Sequence, residues 1–259
     1  MRKKLSYLGN HMDVLLKTLF WTGLAVSFIC IMAFTGKERM EMICTGLEIR
    51  IDNSGINGNN YFIDAYDIEN AVLRQNGFLK GKPVSAVNLN AVERNVRRNT
   101  MVQEAEVYST IDGKIRIDIE QKIPILRVVS YSGYGYYIDK SGGAIPLSAK
   151  YTARVPVVNG YFYKSDTLVQ RHVYEVGKFI ANDRLWKAMF SQIYVNTNRE
   201  FELIPRVGNF RILLGDTAFM REKFNKLYLM YNRGLPRSGW NLYSQINLKF
   251  INQVVCTKR

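Results

Sequence analysis

The sequence predicts an α+β protein in which a single N-terminal transmembrane helix precedes a β-α-α-β-β domain and a mostly antiparallel β domain with two helical elements. Three observations predict this class. A long apolar run lies near the start, segments that alternate apolar and polar residues recur after it, and segments with apolar residues three and four apart lie between them. The predicted boundaries are 1–13 for a cytoplasmic tail, 14–35 for the transmembrane helix, 44–124 for the first domain and 125–259 for the second.

The charge changes sharply along the chain, whose formal net charge is +14. Residues 41–123 carry ten basic and twelve acidic residues, whereas residues 124–259 carry twenty basic and eight acidic residues. This contrast supports a domain boundary near residue 123 and predicts attraction of the second domain to an acidic partner or to anionic headgroups. No known nucleic-acid recognition motif accompanies the charge, so nucleic acid is not a predicted partner.

The apolar run at 14–34 predicts a membrane anchor. It has 21 residues and one charge, Lys17, and as a helix it would rise about 31 Å, enough to cross a hydrocarbon core. Arg2, Lys3 and Lys4 predict a cytoplasmic N-terminus, with the bulk of the chain on the far side of the cell inner membrane. A cleaved signal peptide would need small residues at a cleavage site after the apolar run, and bulky and charged residues stand there instead. A lipoprotein would need small residues just before Cys30 or Cys44, and neither cysteine has them. A buried globular helix is the third alternative, but such a helix is seldom apolar on every face.

In the first domain, a strand at 47–51 precedes a helix that Asp64 caps and that runs to about residue 76, with Ile68 and Val72 inward. A second helix begins at Asn90, with Glu93 completing a capping box. Strands at 102–108 and 114–120 then flank an Asp112-Gly113 turn, which is typical of a β-hairpin.

In the second domain, helical spacing follows Asp166, with Val169, Val173, Val176 and Ile180 on one side. A further turn around residues 185–190 is predicted to pack beside this helix. A second helix is predicted from Asp216 to about residue 232, ended by Gly234 and Pro236. The strands are predicted at 125–131, 136–139, 144–146, 155–160, 193–195, 201–205, 210–215 and 245–256.

The β-α-α-β-β order directly after an anchor resembles a POTRA domain. Residues 102–107, 114–120 and 124–127, with Glu120 and Pro124 at the domain junction, resemble the bacterial cell-division family FtsQ/DivIB. The resemblance implies a scaffold at the division septum that links and regulates septal peptidoglycan synthesis. It implies as partners FtsB/FtsL-like single-pass coiled-coil proteins and the septal peptidoglycan synthase complex, besides the bilayer that holds residues 14–35.

The last predicted strand, 245–256, is the candidate partner-binding site. A strand at a sheet edge offers unpaired N–H and C=O groups to which a partner can add a strand. The resemblance also implies that the final strand and the residues after it receive an FtsB-like partner. By position, the implied partner-binding residues are Phe250, Asn252, Gln253 and Val254. The alternative is that this strand is ordinary core.

No catalytic, cofactor or metal site is predicted, and the chain is therefore not expected to be an enzyme. His172 and Glu175 lie one helical turn apart, but a metal site needs three or four ligands, so a surface polar pair is the preferred interpretation. Cys44 and Cys256 could form a disulfide or remain free, and free thiols are favoured because no framework spacing is present.

Two other functions stay open at this stage. A POTRA carrier of outer-membrane assembly or secretion would need a β-barrel, for which about 135 residues with helices among them are too few. A membrane-tethered cell-wall protein with enzymatic activity would need catalytic residues that the sequence does not show.

Overall fold

A computed structural model describes residues 17–32, 42–52 and 62–259. Residues 17–32 form a helix, α1, whose side chains are exposed. Within these described ranges, no helix combines the length and the apolar character that crossing a membrane requires. The predicted cytoplasmic tail and residues 14–16 and 33–35 of the predicted anchor lie outside the described residues.

The chain divides into two compact units. Of the described residues, the first comprises 17–32, 42–50, Ala65–Val96 and Ala105–Asp118, and the second comprises 51–52, 62–64, Arg97–Glu104 and Ile119–Arg259. The predicted division into 44–124 and 125–259 stays a prediction.

The β-α-α-β-β order is confirmed. The strands form a three-stranded sheet in the order β1-β3-β2. The buried helix residues are Ile68 and Val72 on α2 and Val92 and Val96 on α3. Their spacing of four residues places each pair on one helix face. The elements are β1 Gly46–Asp52, α2 Ala65–Asn76, a 3-10 turn Val84–Ala86, α3 Leu89–Arg97, β2 Val102–Ser109 and β3 Lys114–Gln121.

The predicted capping box at Asn90 is wrong by two residues. The Oδ1 atom of Asn88 accepts a hydrogen bond from the N–H of Ala91 at 3.0 Å, so Asn88 caps α3. Asn88 lies three residues before that N–H, the spacing that a capping side chain needs, and Asn90 is already inside the helix.

The remaining strands form one mixed nine-stranded sheet in the order β12-β11-β10-β9-β8-β7-β4-β5-β6. Five neighbouring pairs are antiparallel, and three, β4–β7, β7–β8 and β10–β11, are parallel. The strands are β4 Pro124–Val129, β5 Gly135–Asp139, β6 Ala144–Pro146, β7 Val157–Gly160, β8 Phe190–Val195, β9 Phe201–Pro205, β10 Arg211–Gly215, β11 Tyr243–Asn247 and β12 Val255–Lys258.

Helices cover one face of this sheet. The core combines strand residues such as Leu126, Ile193 and Ile212 with helix residues such as Val173 and Phe224. The predicted inward positions Val169, Val173, Val176 and Ile180 are all buried. The helical elements are α4 Thr167–Ala181, α5 Arg184–Met189, α6 Met220–Leu229, a π-helical turn Met230–Gly234 and α7 Leu235–Ser238.

This region contains more helical elements than the two that were predicted. The further turn predicted around residues 185–190 is the helix α5. Asp183 starts a separate helix, α5, because its Oδ1 atom accepts hydrogen bonds from the N–H groups of Leu185 at 2.8 Å and Trp186 at 3.2 Å. The helix predicted from Asp216 begins only at Met220, because Phe219 has a left-handed backbone with φ 54°. Pro236 does not end it, because proline is tolerated in the first turn of a helix, and there it begins α7.

The predicted single strand 245–256 is also wrong. The chain leaves the sheet after Asn247 and returns as β12, so that β11 and β12 form an antiparallel hairpin. The turn starts at Asn247, whose Oδ1 atom accepts a hydrogen bond from the N–H of Lys249 at 3.0 Å. This side chain offers the backbone an alternative to the ladder, which is how asparagine commonly initiates a loop.

Candidate partner-binding edge

Strand β12 lies at one edge of the nine-stranded sheet. Within the part of the chain that the structure describes, its neighbour is β11, and its other side carries no strand. The N–H of Arg259, just after β12, donates to the carbonyl oxygen of Leu242 at 3.1 Å. Because N–H groups alternate in direction along a strand, we expect those of Cys256 and Lys258 to face away from β11. These outward groups are available for pairing with an added strand.

The loop before β12, residues 248–254, is held by a lysine from a helix. The Nζ atom of Lys226 on α6 donates hydrogen bonds to the carbonyl oxygens of Leu248 at 3.2 Å, Gln253 at 3.5 Å and Phe250. Burial lowers the pKa of Lys226, and the neighbouring Lys223 ammonium lowers it further. One ammonium group thus satisfies three main-chain carbonyls that have left the sheet, which holds the loop in one shape.

A second lysine joins the same loop to the body of the sheet. The Nζ atom of Lys249 lies 2.8 Å and 2.6 Å from the two carboxylate oxygens of Glu200. The hydrogen bond from Lys249 holds the pKa of Glu200 below its usual value of 4.5. A carboxyl group with a lowered pKa stabilises the fold when ionised, above its unfolded-state pKa, and loses that contribution as the pH falls through its folded-state pKa.

We therefore expect the Glu200→Gln variant to be less stable than the wild-type chain at neutral pH, with a difference that disappears in acid. The measurement is urea unfolding of both chains from pH 7 to pH 3. The Lys249→Met variant is the matched control, because it removes the same ion pair from the other side and should show the same pH dependence. A stability difference that stays constant below pH 4.5 would contradict the role of this pair.

Exposed apolar side chains lie beside the loop. Phe250 is 47% exposed, Ile251 is 65% exposed, and Phe219 at the start of α6 is 60% exposed. Together with Lys223, Lys226 and Lys249, they line a cavity of about 170 Å³. A phenylalanine with positive φ is an outlier that persists only when its surroundings impose it, and such outliers cluster at functional sites. The cavity is thus lined by both apolar and charged side chains.

The four predicted partner-binding residues lie together, but in the loop rather than in a strand. Phe250, Asn252 and Gln253 are exposed, whereas Val254 is half-buried and packs against the core of the sheet. None of the four belongs to the edge strand itself. The edge strand itself lies a few residues later, at Val255–Lys258.

Sequence reasoning missed three residues of this edge: Phe219, Lys226 and Lys249. Lys226 lies 24 residues before Phe250, the loop residue that it contacts, and its position on a polar helix face gave no sign of this contact. The aromatic residue at 219 was assigned to a helix interior, where its left-handed backbone would not be possible. Only Lys249 had a local signal, because it adjoins the predicted Phe250.

The other polar residues singled out from the sequence form no reactive group. His172 lies on α4, and its neighbour Glu175 accepts a hydrogen bond from Arg171 at 3.3 Å. Cys30, Cys44 and Cys256 are free thiols. In residues 17–32, 42–52 and 62–259, no three His, Cys, Asp or Glu side chains are grouped so that they could hold a metal ion.

Two comparisons with known families match this architecture. The family described as FtsQ/DivIB, C-terminal related, matches residues 123–257, which is more than half of the chain. The chain belongs to the FtsQ/DivIB family. A POTRA-like domain matches residues 42–120, the part that contains the β-α-α-β-β elements. No curated protein matches the sequence. Membership of FtsQ/DivIB indicates a role in cell division, and the free edge β12 belongs to the part of the chain that carries the family match.

Proposed function

We propose that this FtsQ/DivIB protein is a non-enzymatic scaffold of the division machinery that binds its partner by strand addition at β12. The observation that carries the proposal is the outer side of β12, which has no neighbouring strand among residues 17–32, 42–52 and 62–259, next to a loop that presents Phe250 and Ile251 to solvent. Main-chain pairing supplies affinity in such complexes, and pockets for alternate side chains supply specificity. The cavity beside Phe219 offers one such pocket.

The proposed partner is an FtsB/FtsL-like single-pass protein, through which the scaffold reaches the septal peptidoglycan synthase complex. In this proposal, residues 14–35 hold the chain in the cell inner membrane at the septum, with residues 1–13 in the cytoplasm. The apolar run of 21 residues and the basic residues before it support this arrangement. Depletion of the protein should then produce filamentous cells, whereas a secretion or outer-membrane assembly factor would cause loss of outer-membrane proteins.

We expect the Cys256→Pro variant to fold but to lose capture of a co-produced FtsB-like partner. Proline removes an N–H group, and the N–H of Cys256 is expected to face outward, where an edge strand tolerates proline. The measurement is pull-down of the partner with the tagged full chain, alongside circular dichroism and urea unfolding. The loss should be at least about tenfold in captured partner, since strand addition depends on these main-chain bonds.

Two variants make the pull-down interpretable. The Cys256→Ala variant removes the thiol but keeps the N–H, so it should bind as the wild-type chain does. The Thr257→Pro variant removes an N–H that is expected to face β11, so it should weaken the β11–β12 hairpin itself. A folded Cys256→Pro chain that captures the partner at the wild-type level would refute strand addition.

A further inference from the structure

A cluster of exposed tyrosines lies away from β12. Tyr131 and Tyr134 come from the turn between β4 and β5, and Tyr161 and Tyr163 follow β7, so the cluster lies toward the β6 side of the sheet, away from its β12 edge. The four side chains, here named the tyrosine platform, are between 47% and 60% exposed. The Tyr131 ring stacks on Tyr161 with centroids 5.4 Å apart and meets Tyr163 edge-on at 5.8 Å.

The backbone holds these rings in place. The N–H of Tyr131 donates to the carbonyl of Phe162 at 3.0 Å, which joins the two segments, and the Phe162 side chain is buried beneath them. The N–H of Tyr161 donates to the carbonyl of Val195 at 2.9 Å, and that of Tyr163 donates to Oδ2 of Asp166 at 3.0 Å. A surface that is already ordered loses little conformational entropy when a ligand binds.

The platform also has polar groups that are free to bind a ligand. Among the described residues, the hydroxyl groups of Tyr131, Tyr161 and Tyr163 form no hydrogen bond. Beside the platform, the Tyr136 ring lies 5.9 Å from Tyr134, and its buried hydroxyl also lacks a partner. The ammonium of Lys164 lies 4.3 Å from the centre of the Tyr134 ring, which gives this side of the platform a positive charge. The surface therefore combines flat apolar rings, hydroxyl groups, the Lys164 cation and the Asp166 carboxylate. That carboxylate is already engaged by the N–H of Tyr163 and lies at the N-terminus of α4, which leaves Lys164 as the charge open to a ligand.

We propose that the tyrosine platform binds a carboxylate-bearing carbohydrate chain. A pyranose ring has a flat C–H face that stacks on an aromatic ring and a rim of hydroxyl groups that pairs with phenols. Tyrosine offers both chemistries, because its ring is apolar and its hydroxyl is polar. The carboxylate follows from charge complementarity, since Lys164 adjoins the rings and residues 124–259 carry twenty basic and eight acidic residues.

The test is calorimetric titration of the full chain with two defined probes, hexagalacturonic acid and the neutral chitohexaose. We expect the acidic probe to bind more tightly than the neutral one. The difference in affinity between the two probes should shrink when the salt concentration is raised and in the Lys164→Gln variant. Removing one ring in Tyr131→Ala or Tyr161→Ala should weaken binding of the acidic probe by about two- to tenfold, the effect expected for one aromatic contact. Tyr228→Ala, which removes a tyrosine of 50% exposure from α6, should leave binding unchanged.

The outcomes separate this site from other occupants. The Tyr161→Phe variant keeps the stacking ring, so it should bind more tightly than Tyr161→Ala, and it tests the ring if the alanine variant is unstable. Absence of binding to both sugars at millimolar probe would overturn the proposal, and so would equal losses in Tyr228→Ala and Tyr131→Ala. Binding of the platform to vesicles of phosphatidylglycerol, with no binding to either sugar, would assign it to a lipid surface instead. Equal affinity for the two probes would overturn the proposal that the ligand carries a carboxylate.

Discussion

Replacing Gly160 with alanine is expected to destabilise the protein by on the order of 3 kcal/mol or more. Gly160 ends β7 with φ 127°, a conformation that side chains rarely adopt, and a Cβ atom there would lie 2.0 Å from the carbonyl oxygen of Val195. Val195 is its parallel partner on β8, so the clash is with backbone and no side chain can move to relieve it. Relief requires β7 and β8 to separate in the middle of the sheet.

The matched control for this variant is Gly239→Ala. Gly239 also has positive φ, 99°, but an added Cβ would meet no atom within 4 Å. It should therefore cost only the backbone strain, on the order of 1–3 kcal/mol. Urea unfolding of the two full-length variants gives the comparison. Equal losses of stability would contradict the close approach of β7 to β8, whereas a larger loss at Gly160 supports it.

Replacing Phe224 with alanine is expected to cost about 3–5 kcal/mol, the usual range for removing a buried phenylalanine. The Phe224 ring on α6 contacts three other rings: Phe179 at 4.6 Å, Trp186 at 5.0 Å and Phe190 at 6.1 Å between centroids. Since Lys226 lies on the same helix and holds the loop before β12, the variant should also loosen this loop.

The measurement for Phe224→Ala is urea unfolding combined with hydrogen exchange of residues 248–254. Leu229→Ala is the matched control, because Leu229 lies on the same helix and is 50% exposed. Its effect should stay within about 0.5 kcal/mol. Faster exchange of the loop in both variants, or in neither, would show that the loop does not depend on how α6 is packed.

The sequence predicted those features that repeat locally. Ile68 and Val72, or Val169 and Val173, are four residues apart, and this period alone identifies a buried helix face. The β-α-α-β-β order and most strand positions followed from the same reasoning. The Asp112-Gly113 turn was also predicted correctly, because glycine readily adopts the positive φ that such a turn needs. Gly113 has a φ of 80°.

The failures arise where a side-chain hydrogen bond or an unusual backbone conformation, rather than apolar periodicity, decides where an element begins or ends. Phe219 interrupts a segment whose apolar residues have helical spacing. The spacing of apolar residues does not indicate that the backbone of Phe219 is left-handed. The segment 245–256 has the alternation of one long strand, but Asn247 turns the chain and Lys226, far away in sequence, satisfies the carbonyls of the loop. The predicted partner-binding residues therefore lie in a loop next to β12 instead of in a strand, and their role stays a prediction.

The two edges of the nine-stranded sheet differ in what they allow. The edge opposite β12 is β6, which has three residues and ends in Pro146, a residue without an N–H group. Head-to-tail stacking of copies would need β12 of one copy to pair with β6 of the next, and such pairing would generate an open filament. The proline and the shortness of β6 disfavour it. Among the described strands, two copies that paired edge to edge would therefore use β12 on both sides, and that arrangement would close as a dimer instead of growing into a filament.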